Sequence, residues 1–89
     1  MSQQQDAEFW KKARAARDQL VAQYLSHPDV SLIDIGYVQD PDTRTQKYAL
    51  RIHVRERWLK AKPEDRVSFP YRVEGIPVVV ISGEYRVGQ

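Results

Sequence analysis

Leu50, Ile52 and Val54 alternate with Arg51, His53 and Arg55, and Tyr48 extends the apolar set backwards. Successive side chains of a strand point to opposite faces, so this alternation predicts a β-strand over Tyr48–Arg55 with one dry and one wet face. An earlier stretch has a different period. Phe9, Ala13, Ala16, Leu20 and Tyr24 recur at helical spacing, Trp10 and Val21 widen the stripe, and Lys11, Lys12, Arg14 and Asp18 lie opposite. That pattern predicts an amphipathic helix from Asp6, a suitable N-cap with Glu8 in the first turn, to about Leu25. The small residues in its middle allow close approach to a sheet. His27-Pro28-Asp29 should end it, because proline disfavours helical geometry in the residue before it.

Val30–Val38 reads as a further strand, with Ile33, Ile35 and Tyr37 on one face and Leu32, Asp34 and Gly36 on the other. Gly36 inside a strand points to a bulge or to close approach of another backbone. The polar segment Gln39–Lys47 should carry the chain back into the Tyr48–Arg55 strand as an antiparallel hairpin with a long tip. Arg57–Lys62 has room for one helical turn, and Pro63-Glu64-Asp65 for another. Val78–Ile81 is a continuous apolar run that fits a strand buried on both faces, and Glu84–Val87 alternates as a short edge strand would. The expected fold is therefore α+β: an amino-terminal helix packed on a small three- or four-stranded, mainly antiparallel sheet.

Length and composition narrow the setting. Eighty-nine residues make one small domain. Residues 1–5 are polar and are expected to form a disordered tail, leaving 6–89 as the folded unit. Cysteine is absent, which removes disulfides and thiolate metal sites. With neither a leader-like segment nor a long apolar run, a cytoplasmic protein is expected. The net charge is only +2, but it is unevenly placed. Residues 1–43 hold four basic against seven acidic side chains, and residues 44–66 hold eight basic against three acidic. A basic middle can meet an acidic partner or a phosphate backbone, or it can face the acidic segment of its own fold.

Catalytic signatures are missing. The four glycines stand apart, so there is no phosphate-binding loop, and there is neither a nucleophile elbow nor a pair of histidines one helical turn apart. His27 sits where a turn role is expected, and two distant histidines make a poor metal site. No cofactor, no metal and no enzymatic activity are expected. Asp34 could face Arg51 and Arg55 across the hairpin, where a cross-strand ion pair is the simplest outcome. The candidate partner-binding residues are Arg51, His53, Arg55 and Arg57. The favoured reading is a non-catalytic protein-interaction or regulatory module that binds another protein or a second copy of itself. The alternative is a small nucleic-acid-binding domain using the basic sheet face, although that face carries no aromatic residue on which bases could stack.

The order of motifs also resembles a known family. Val30 through Ile35-Gly36-Tyr37, Tyr48–Arg55, Phe69-Pro70 and Glu74-Gly75-Ile76-Pro77-Val78-Val79-Val80 follow one another. This order is similar to the small accessory module found ahead of trypsin-like peptidase domains in bacterial proteins and in a plant leaf-development protease. The resemblance covers about residues 30–81. Val38 stands where that module usually has lysine, and Val79 where a polar residue is common. None of these motifs is catalytic. The resemblance implies a stand-alone accessory module that docks on a peptidase or another partner.

Overall fold

The computed structural model describes residues 3–40 and 42–82, with side chains described from residue 7 onward. Helix α1 spans Gln3–Tyr24, strand β1 Val30–Gln39 and strand β2 Gln46–Val54. A short helix α2 (Glu56–Lys60) and a 3-10 turn (Pro63–Asp65) lead to strands β3 (Arg72–Val73) and β4 (Ile76–Ser82). The sheet order is β1-β2-β4-β3. β1 and β2 form the expected antiparallel hairpin, with Ile33 opposite Ile52 and Ile35 opposite Leu50. β4 then joins β2 in parallel, Leu50 beside Val78 and Ile52 beside Val80, while β3 pairs antiparallel with the start of β4. The architecture is an α+β fold with a helix on a mostly antiparallel sheet.

The alternation in β2 decides which face is dry. Leu50, Ile52 and Val54 are fully buried against Ala13, Ala16 and Leu20 of α1, together with Val30, Ile33 and Ile76. Two alanines at the contact hold the helix close to the sheet, and the larger Phe9, Trp10, Val21 and Tyr24 close its flanks. Tyr48 packs among Phe9, Trp10 and Tyr37, and its ring stacks on Tyr37 with centroids 4.2 Å apart.

Several boundaries differ from expectation. The helix is described from Gln3, three residues before the expected start at Asp6. Glutamine is a good helix former, and a turn continued from an anchored helix needs no burial of its own. Strand β2 stops at Val54. Arg55 is the cap residue ahead of α2, and its backbone N–H bonds the Asp29 carbonyl. The bulge falls between Val30 and Leu32 rather than at Gly36. The Val78–Ile81 run is not buried on both faces. Val78, Val79 and Ile81 are half-buried and Val80 is exposed; α1 packs chiefly on β1 and β2, and of β4 only Ile76 joins the buried core beneath it among the described residues. The suggested Glu84–Val87 strand lies outside the described residues.

Glu74 and Gly75 form the two-residue link between β3 and β4, both at positive φ (54° and 77°). Two left-handed residues in a two-residue hairpin make a type I′ turn, which asparagine fits better than glutamate at its first position. Glu74→Asn is expected to raise stability by about 0.5–1 kcal/mol, read from the urea midpoint. Among the described residues, the side-chain bond at risk is the 3.5 Å one from Gln19 Nε2 to the Glu74 carboxylate.

Candidate functional site

The basic segment folds back on the acidic one. Asp34 stands opposite Arg51 in the hairpin register, and its carboxylate accepts two bonds from the guanidinium, at 2.9 Å to Nε and 2.6 Å to Nη2. His53 Nε2 lies 3.3 Å from the same carboxylate, and the His53 side chain is almost wholly buried. The Arg51 bonds hold Asp34 below the usual carboxylate range; burial opposes them, and the His53 contact adds to them. Gly36 makes this arrangement sterically possible. A Cβ there would overlap the Cζ and Nε of Arg51, so the close neighbour is a guanidinium lying across the strand and not another backbone.

Other members of the basic block are also engaged. Arg57 pairs with Asp29, and Lys47 with Asp40 at 3.5 Å. The four residues singled out from sequence therefore do not make one accessible basic face. Arg51 is bonded to Asp34, His53 is buried, and Arg57 fastens the turn before β1 to α2. Arg55 is exposed at the start of α2. Alternation placed Arg51 and His53 correctly away from the helix, but it carries no information about what else lies on that face.

The hydroxyl and the second histidine near this cluster serve the backbone. Ser31 Oγ donates to the backbone carbonyl of His53 at 3.1 Å and not to its ring. His27 Nδ1 accepts the Asp29 backbone N–H at 3.1 Å, a turn role. Among the described residues, no three acidic, histidine or cysteine side chains converge as a metal site would require. Among those residues, too, no helix is long and apolar enough to cross a membrane.

A second location is a largely apolar groove beside β4. The chain between α2 and β3 crosses the helix-bearing side of the sheet, with Trp58 and Phe69 packed on the core beside Tyr24. It meets β4 only near the turn. Val78 N–H bonds the Tyr71 carbonyl at 2.8 Å, and no further rung is formed along that edge among the described residues. Backbone groups alternate in direction along a strand, so Val80 and Ser82 point their N–H and C=O to the same side as Val78, away from β2. Where the two segments part, they bound a groove of about 480 Å³ walled by Trp58, Phe69, Pro70, Tyr71, Val78 and Val80. Tyr71 is 90% exposed and Val80 41%. Sequence reasoning missed this groove. Its aromatic and proline residues were visible, but the parallel placement of β4 that opens it was not.

Comparison of the chain with family models, with curated proteins and with solved structures finds no match in any of the three.

Proposed function

We propose that this chain is a non-catalytic protein-interaction module that receives an extended polypeptide at the free edge of β4. The observation that carries the reading is the interrupted ladder: past Val78, the outer edge of β4 faces an aromatic-walled groove and pairs with no other strand among the described residues. An unpaired edge supplies backbone bonds to an added strand, and the flanking pocket supplies side-chain selectivity. The similarity of residues 30–81 to an accessory module ahead of peptidase domains agrees with a docking role and leaves the partner's identity open. A second copy of the chain is one form such a partner takes, and light scattering at micromolar concentration separates that case.

Val80→Pro is the direct test. Proline is tolerated on a strand where its missing N–H would face outward, so the fold should persist while the central donor of the free edge is lost. Peptides captured from a randomised display library by the unaltered protein are expected to lose about tenfold or more in affinity for the variant. Undiminished capture by a folded Val80→Pro protein ends this reading.

The nucleic-acid alternative draws its support from the excess of basic residues in 44–66. The ion pairs of Arg51, Arg57 and Lys47 take part of that support away. Binding through phosphates must weaken steeply with salt, so gel shifts from low to physiological salt with Arg55→Glu as control would reveal it.

A further inference from the structure

Arg66 is held at the wall of the β4 groove by three contacts. Its guanidinium lies over the Trp58 ring, 4.5 Å from the centroid. Nε donates to the Ala61 carbonyl at 3.1 Å, and Nη2 to the Leu59 carbonyl at 2.6 Å. These bonds fix the pose and tie down the end of α2, but they cancel no charge. Among the described residues no carboxylate lies within ion-pair distance of Arg66, whereas Arg17, Arg51 and Arg57 each have one. The second amino nitrogen, Nη1, has no acceptor among those residues either. Stacking on indole and anchoring to carbonyls remove the rotamer freedom that a guanidinium otherwise loses when it binds a ligand.

We infer that Arg66 receives a side-chain carboxylate of the incoming peptide, so that the preferred partner segment is extended, mainly apolar and carries one aspartate or glutamate. This rests on the docking role assigned to the β4 edge. The charge complements the site in a specific way. The strand edge and the walls formed by Phe69, Val78 and Val80 are uncharged, and Arg66 is the one cation among the described residues that line the groove. A single carboxylate on an otherwise apolar strand would match it, and a peptide lysine would be repelled. Charge-assisted bonds to a fixed, partly desolvated guanidinium are stronger than neutral ones and select strongly on geometry.

The test uses the unaltered protein and peptides with blocked ends, so that no terminal carboxylate contributes. Hexapeptides of alternating valine and threonine, with glutamate placed at each position in turn, are compared by fluorescence anisotropy with twins carrying glutamine. At one or two positions glutamate is expected to bind about tenfold or more tightly than its twin. Arg66→Gln should abolish that preference without abolishing binding of the glutamine peptides. Because Arg66 also fastens the chain after α2, the peptide twins give a readout that does not depend on the variant's folding. Equal binding of both twins at every position overturns the carboxylate assignment and leaves the edge-docking role standing. Binding by none of the peptides overturns both. A glutamate preference that survives in a folded Arg66→Gln protein places the receptor elsewhere and overturns the role of Arg66.

Discussion

Ile52→Ala is expected to lower the unfolding free energy by about 2–5 kcal/mol, a large share of what a domain of this size possesses. Ile52 is fully buried at the middle of β2, opposite Ile33 and beside Val80, under the alanine face of α1. Truncation there leaves a cavity that neither the sheet nor the helix can close, since both are held by the surrounding core. The neighbouring Arg51→Ala should cost less, about 1–2 kcal/mol, because Arg51 is partly exposed and its loss leaves Asp34 with access to water and to His53. Urea titration of the two variants measures both values. Equal losses would overturn the assignment of dry and wet faces on which the fold rests.

Gly36→Ala should act through a residue on another strand. The added methyl group takes the space of the Arg51 guanidinium, so the arginine must swing away from Asp34. The expected loss is about 1–3 kcal/mol at neutral pH, the value of a partly buried charge-assisted pair. Its pH dependence identifies the cause. Asp34 is held below the ordinary aspartate range chiefly by Arg51, so the folded state binds its proton less readily than the unfolded state. The stabilisation from this group is present above the unfolded pKa and is lost as pH falls through the folded one. The gap between Gly36→Ala and the unaltered protein should therefore be full at pH 7 and narrow below about pH 4. A gap that stays constant across this range would point to backbone strain in β1 rather than to a displaced arginine.

Much of the fold was legible because local pattern and burial agree. The period of two in β2 and the helical stripe from Phe9 to Tyr24 each name the face that ends up in the core. The hairpin followed from two strands joined by a polar turn. The pairing of Asp34 with Arg51 followed from placing both on the outer face. What stayed hidden depends on contacts far apart in sequence. Nothing local to Val78–Ile81 states that β4 runs parallel to β2. The burial of His53 was likewise hidden, since alternation marks it as outward-facing and only the assembled face reduces its exposure to 4%. The groove was invisible for a related reason: it is the space left where two segments diverge, and no single residue encodes it.

The parallel seam between β2 and β4 also has a consequence for how the molecule is assembled. The β1–β2 hairpin closes through residues 40–45, whereas β4 reaches β2 only after residues 55–75 have been laid across the sheet. The longer closure costs about 1 kcal/mol more in chain entropy, and its contacts are gained only once the crossover is in place. The hairpin under its helix is thus the natural early nucleus, and β4 the late addition. In that interval the outer edge of β2 stands open, with Leu50 and Ile52 beside it, and any β4 segment satisfies it equally well. At high concentration during synthesis or refolding, the available β4 can belong to a neighbouring chain. The same seam that completes the monomer is therefore the place where two chains would exchange strands.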